Sequence, residues 1–500
     1  MSASLLLLLS VIIARGFWPN VRVDHQNLSD HMCYRCAMAI GPDAPSGPPI
    51  YVVFEDDSMV GPATVRADVV FQKSTDAGRT WQSTDLLIRR GAPRAEYPDI
   101  TTDSDGNVYI VYKDVHGDTT GTYHDQILCT RSSDGGATWS APARVDDESS
   151  GGIGLISIVA GTAGNLFVAW NQLPGGFSHV FTSVSTDKGA TWSPRVWVDD
   201  DTLTDESDHA EVFVQPGTNH YLVAATTYRW FDHKPYSRPC AFLYRSTDRG
   251  QTFQPGVQLD TFNDNAFYPH VVADRDHIIC DYFGSGRNVP ADTIVAEART
   301  FYTQADTWGT PCPVTSLDSL HELYYSGTLA LSGDGRVHTA LMVEDTALFY
   351  YNIYYASSSD HGVTWSDIEL VQEDTTGDDF YPDIVTDMAG HAYVVWQHVG
   401  IKSEIWFSTN NPAGIAEEPM QPQSHGTQLF ATMVHNVLFL AERPSSSLSA
   451  NYLLDIGGRR VLALKPGAND VSRLSPGVYF VREAQAQAQA QAVRKVVITK

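Results

Sequence analysis

The sequence predicts an all-β fold, a ring of four-stranded antiparallel blades. Three observations carry that reading: an eight-residue turn motif present five times, a second repeated strand phrase, and a spacing of roughly 55 residues between copies. The motif is Ser-x-Asp-x-Gly-x-Thr-Trp. It begins at Ser74, Ser132, Ser185, Ser246 and Ser358, with one double step between the last two copies, and ends at Trp81, Trp139, Trp192, Phe253 and Trp365. Each residue type suits a tight turn: the Asp carboxylate accepts backbone N–H groups about two residues on, the Gly supplies a positive φ, and the Trp carries apolar surface into the core. Short strands repeated at this period signal a β-propeller.

The second phrase precedes the motif and allows the degenerate units to be counted. Tyr97-Pro98-Asp99-Ile100 runs through the turn Asp105-Gly106-Asn107 into Val108-Tyr109-Ile110-Val111-Tyr112, which reads as strand, turn, strand. It returns at Tyr268-Pro269-His270-Val271 and Tyr381-Pro382-Asp383-Ile384, with looser versions near Met32, Gly154, His209 and Tyr325. Seven blades are therefore favoured, with six the alternative. The last unit stops at Phe407-Ser408-Thr409-Asn410-Asn411 and lacks an outer strand. Phe17-Trp18-Pro19-Asn20-Val21-Arg22-Val23-Asp24 reads like the outer strand after Trp192, so the N-terminal segment is expected to close the ring and cover an open sheet edge.

The motif is an Asp box, and the chain resembles the sialidase-like (BNR repeat) propeller proteins. In that family the boxes sit at the blade periphery, which implies a structural role for Asp76, Trp81, Asp134, Trp139, Asp187, Trp192, Asp248, Phe253, Asp360 and Trp365. A catalytic member clamps a carboxylate with three arginines and uses a Tyr nucleophile activated by Glu, with an Asp as acid/base. By the resemblance, Arg35 in Tyr34-Arg35-Cys36-Ala37-Met38 stands at the first arginine, although the family's following Ile-Pro is absent. Arg229 and Arg287 are position-compatible with the rest of the clamp, Tyr324 or Tyr325 behind Glu322 with the nucleophile and base, and Asp56, Asp57 or Asp68 with the acid/base.

At the expected propeller mouth, Tyr97, Tyr268 and Tyr381 offer rings for sugars. Asp99, Asp208, His209, Glu211, His270 and Asp383 offer groups for hydroxyls. Tyr recurs in several blades, which fits packing or repeated binding better than unique chemistry. The reading is a secreted or surface protein that binds glycans or other surface ligands without catalysis; the alternative is an exo-acting, sialidase-type glycoside hydrolase.

Composition bounds the partners. The 500 residues include 33 Lys plus Arg against 59 Asp plus Glu, a net charge of −26, which argues against nucleic acid or an anionic membrane. No cofactor or metal is implied. Asp199-Asp200-Asp201 with Asp205 and Asp208 offer carboxylates for a structural Ca²⁺, but without EF-hand spacing. Cys33 and Cys36 form a C-x-x-C with no second pair or His cluster at zinc spacing. Residues 1–15 read as a signal-peptide-like segment, 16–415 as the propeller, 416–425 as a linker and 426–500 as a small β domain. That last region resembles the type A sorting domain of the type IX secretion system in its Asp455-Ile456-Gly457-Gly458-Arg459 turn, its Pro476-Gly477-Val478-Tyr479-Phe480 strand and its basic-flanked final strand. The resemblance implies export through that machinery to the outer-membrane surface or beyond. The Ala/Gln tract of 484–492 reads as a hairpin loop, and a monomer is expected.

Overall fold

The structure, a computed structural model, describes residues 16–17, 20–25, 31–61, 64–91, 93–117, 122–147, 152–199, 206–230, 237–260, 265–285, 294–315, 321–345, 350–372, 377–400, 402–411, 432–434, 437–440, 451–454, 460–465, 467–471, 473–474, 477–482 and 493–498. The signal-like segment, the linker, the Asp455–Arg459 turn, most of the acidic loop after Asp199 and the Ala/Gln tract lie outside them. The chain divides into Met1–Ala416 and Glu417–Lys500. In the second unit, strands Thr432–Val434, Val493–Ile498, Gly477–Arg482, Asn451–Leu454 and Arg460–Leu464 form one sheet in that order, and Val437–Leu440 pairs with Gly467–Asp470.

The first unit is a propeller of antiparallel sheets with no α-helix among the described residues. Four sheets have four strands, one has five, and one has eight. The eight-stranded sheet is two four-stranded blades joined by a single parallel pair, Ala67 with Arg94. The blades therefore number seven, with first strands His31–Ile40, Pro93–Thr102, Ile153–Ala160, Glu206–Val214, Ala266–Ala273, His321–Leu331 and Asp378–Thr386. Each first strand touches the next, and Asp378–Thr386 returns to His31–Ile40, so these seven surround the axis.

The ring closes as the sequence predicts. Val21 and Arg22 pair with Phe407 and Trp406 as the outer strand of the seventh blade. Val23 N donates to the Ile405 carbonyl at 2.8 Å, and Ile405 N donates to Asp24 Oδ1 at 2.7 Å. Phe17 and Val23 are fully buried, the former with its ring 4.9 Å from Tyr355.

The Asp boxes are peripheral turns with one shared bonding scheme. In the first, Ser74 Oγ donates to Asp76 Oδ1 (2.7 Å), Gly78 N donates to Ser74 Oγ (2.9 Å), and Thr80 donates to Asp76 through N (2.9 Å) and Oγ1 (2.7 Å). The Asp thus accepts the amide four residues on, rather than two, and the Ser accepts the Gly amide. The residue before the Gly is also left-handed, with φ near 60° at Ala77, Lys188, Arg249 and His361. Gly78 has no alternative: φ is +84°, and a Cβ there would lie 2.2 Å from Phe407 of the seventh blade. The box aromatics pack between blades, Trp81 edge-on to Phe407 and Trp139 edge-on to Phe71. These turns set blade spacing and lie away from the axis.

Candidate functional site in the axial cavity

Each first strand carries an irregularity that turns side chains toward the axis. The pairing with the second strand slips between Tyr34 and Ala37, Glu96 and Asp99, Asp208 and Glu211, Phe267 and His270, and Phe380 and Asp383. The first of the two skipped residues is left-handed: Arg35 (φ 42°), Tyr97 (53°), His209 (49°), Tyr268 (48°) and Tyr381 (49°). Such a bulge bends the strand and re-aims its neighbours. Arg35 and His209 therefore stand where the second, fifth and seventh blades carry the tyrosine of Tyr-Pro.

The cavity has a volume of about 980 Å³, at the upper end of small-ligand sites. Every blade contributes one side chain of its first strand to the wall, two residues beyond the left-handed position in the five blades that have one: Ala37, Asp99, Ser157, Glu211, His270, Thr328 and Asp383. Four of these link neighbouring blades in the same way, each accepting the N–H that follows the corresponding residue of the next blade. Ile158 N donates to Asp99 Oδ2 (2.7 Å), Val212 N to Ser157 Oγ (3.4 Å), Ile384 N to Thr328 Oγ1 (2.9 Å) and Met38 N to Asp383 Oδ2 (2.6 Å). Thr328 also donates to Asp383. Asp99 and Asp383 thus hold blades together while lining the cavity.

The pattern breaks at the fourth and fifth blades. Glu211 Oε2 is buried and makes no hydrogen bond, and it lies 3.8 Å from His270 Nε2. His270 turns into its own blade, with Nδ1 2.9 Å from Asp281 Oδ1. Burial pushes the Glu211 carboxyl up to about 8, against the pull of His270 and with the help of Asp281, Asp383 and Asp99. Burial opposes charge on His270, but Glu211 and Asp281 outweigh it and raise the imidazole to about 9. Burial also raises Asp99 to about 7. Glu211, His270 and Asp281 are thus one coupled cluster that holds its protons more tightly than the same groups do in water, with the Glu211 carboxyl facing the cavity.

Aromatic groups ring the mouth. Two cations lie over the Tyr97 ring, Arg35 Cζ at 4.3 Å and Lys113 Nζ at 4.5 Å from its centroid. Tyr268 stacks parallel to Phe283 and meets His209 edge-on at 4.1 Å. His209 Nδ1 is 2.7 Å from Asp208 Oδ1. Tyr381 is the most open of the three tyrosines, 45% exposed. A side pocket of about 350 Å³ adjoins Arg35 and Tyr97, where Glu96 pairs with Arg94 (2.7 Å) and Lys113 (2.8 Å).

Among the described residues Arg35 is the arginine lining the cavity. Asp68 lies in the third strand of the first blade, bonded to Arg66 (3.1 Å) and to the Gly91 amide (2.8 Å), and does not line it. The side chains of Arg229, Glu322, Tyr324 and Tyr325, and all of Arg287, lie outside the described residues. All six cysteines are free thiols, Cys33 and Cys36 among the buried ones. Sequence reasoning passed over Asp281, Ser157 and Thr328. The signal for Asp281 was an acid inside the apolar run Ile278-Ile279-Cys280-Asp281-Tyr282-Phe283.

No family model and no curated protein matches the chain. Among solved structures it is similar to a Dyadobacter fermentans protein of unknown function, at 15% identity and a TM-score of 0.46 over 79% of this chain and 98% of that one. It is similar to an α-L-arabinanase of Penicillium chrysogenum complexed with arabinobiose, at 13% identity and a TM-score of 0.44 over the same shares. It is also similar to the NanB sialidase of Streptococcus pneumoniae, at 8% identity and a TM-score of 0.44, again over 79% and 98%.

Proposed function

We propose that this protein binds carbohydrate in the axial cavity, with a sugar held between the mouth aromatics and the Glu211–His270 floor. The observation that supports it best is Glu211, a carboxyl that lines a cavity of ligand size and whose buried Oε2 accepts no hydrogen bond from the described residues, its nearest cation being His270 at 3.8 Å. A sugar hydroxyl would satisfy that atom, and Tyr381 at the rim would pack on the ring's apolar face.

A glycan screen on the purified full chain, followed by calorimetric titration of the best ligand, tests this. Glu211→Ala is expected to weaken binding about 10-fold or more, from the lost hydrogen bond, and Tyr381→Ala about 3- to 10-fold. Binding that is unchanged in both variants, or absent across the screen, would sink the proposal.

A second reading rests on the same carboxyl. A carboxyl that burial makes hold its proton more tightly suits protonation of a glycosidic leaving group, so exo-acting glycoside hydrolysis is the alternative, with sialidase the named case. It expects release of 4-methylumbelliferone from one of a panel of glycosides and loss of that turnover in Glu211→Gln. Loss in Arg35→Ala confined to the sialic acid glycoside would identify carboxylate clamping. Turnover that survives Glu211→Gln would reject this acid.

We also propose that residues 426–500 direct export through type IX machinery, on their sequence pattern. Fusing them to a reporter in a bacterium with that machinery is expected to carry the reporter to the cell surface; periplasmic retention would refute the proposal.

A further inference from the structure

At the blade periphery, away from the axial cavity, the turn of the fifth blade meets the Asp box of the sixth. Three ligand-type side chains converge there: Asp274 and His277 from the turn between Ala266–Ala273 and His277–Ser285, and His361 from the box that follows Tyr350–Ser358. Asp274 Oδ1 accepts the Asp276 and His277 amides, both at 2.7 Å. Asp274 Oδ2 is 3.1 Å from His277 Nδ1 and 3.2 Å from His361 Nε2. The two imidazoles stack, with centroids 3.9 Å apart and planes 24° from parallel.

We propose that Asp274, His277 and His361 bind a divalent first-row transition ion such as Zn²⁺, which links the fifth blade to the sixth. A metal held at about 2.0–2.1 Å by tetrahedral N and O ligands places those atoms roughly 3.3 Å apart, close to both separations here. Two imidazoles with one carboxylate select such an ion over Ca²⁺ or Mg²⁺, which take oxygen ligands. A fourth position remains for water.

The sister blades show which part is ordinary. His391 and Asp387 of the seventh blade form the same turn-bracing pair at 2.8 Å. Between the second and third blades the box residue equivalent to His361 is Lys188, in a plain ion pair with Asp105 at 2.7 Å. What distinguishes the fifth and sixth blades is a second imidazole where the other boxes carry Ala77, Gly135, Lys188 or Arg249.

The test is titration of chelator-treated full-length protein with Zn²⁺, and with Co²⁺ read by its visible spectrum. The expected result is one equivalent bound, with the intense visible bands of a four- or five-coordinate nitrogen/oxygen site, and at least 10-fold weaker binding in His361→Ala. That variant reproduces Ala77 of the first box, so the turn keeps its shape; His277→Asn, copying Asn107 of the second blade, is the companion. Absence of binding at 100-fold molar excess would overturn the proposal. So would unchanged binding in both variants, or thiolate-to-cobalt bands that place the ion on Cys33 and Cys36.

Discussion

A chain lacking residues 16–24 fails to form a cooperative propeller. Those residues supply the outer strand of the last blade, and Phe17 and Val23 bury their side chains completely. Losing a buried Phe alone costs about 3–5 kcal/mol, and the deletion adds Val23, the ladder bonds to Ile405 and the Asp24 acceptor. Against a typical stability of about 5–15 kcal/mol that sum is decisive. The strand Ser403–Thr409 would also become an open edge, with aggregation as the consequence. A graded version is Phe17→Ala with Val23→Ala, expected to lower stability by roughly 4–6 kcal/mol in denaturant titration. A transition within about 1 kcal/mol of the parent chain would show that the N-terminal strand is dispensable and that the ring closes by other contacts.

Stability falls as pH rises from about 5 to 9, and Glu211 accounts for a measurable part of the fall. Three axial groups have folded values above their ordinary ones: Glu211 at about 8 against 4.5, Asp99 at about 7 against 3.8, and His270 at about 9 against 6.5. A raised group binds its proton more tightly in the folded state. Its contribution is complete below the unfolded value and is lost as pH climbs through the folded one. All three therefore push in one direction across the neutral range. Glu211 is only partly shielded from solvent, so its share is on the order of 2 kcal/mol rather than the full shift. Glu211→Gln should match the parent at pH 5, exceed it by about that amount at pH 8.5, and flatten the profile. The Asp boxes work in the opposite sense at far lower pH: hydrogen bonds hold Asp248 at about 2, below burial's upward push, so their loss is confined to strong acid. Parallel profiles for the parent and Glu211→Gln would show that this carboxyl is not held protonated. Ligand binding that depends on the Glu211 proton should weaken above pH 8 on the same curve.

The architecture was legible because its determinants are local. An Asp box needs only eight consecutive residues to close its own hydrogen bonds, so five copies announced the blades, and the likeness of Val21-Arg22-Val23 to the strand after Trp192 announced the closure. Local pattern even placed Glu211 and His270 on first strands. It could not say that Asp99 and Asp383 spend their oxygens on amides of the next blade, because Ile158 and Met38 come into reach only when the ring is complete. Nor could it separate Glu211 from the chain's many other carboxylates. Three further decisions belonged to the tertiary structure: the pairing of Asp281 with His270, the burial of Glu211 Oε2 without a hydrogen bond from the described residues, and the meeting of His361 with the turn of the fifth blade. The sequence by itself determined the turns, the period and the closing strand, since each is encoded by neighbours along the chain. The site was decided by burial and by contacts between blades, which exist only once seven separate strands share one axis.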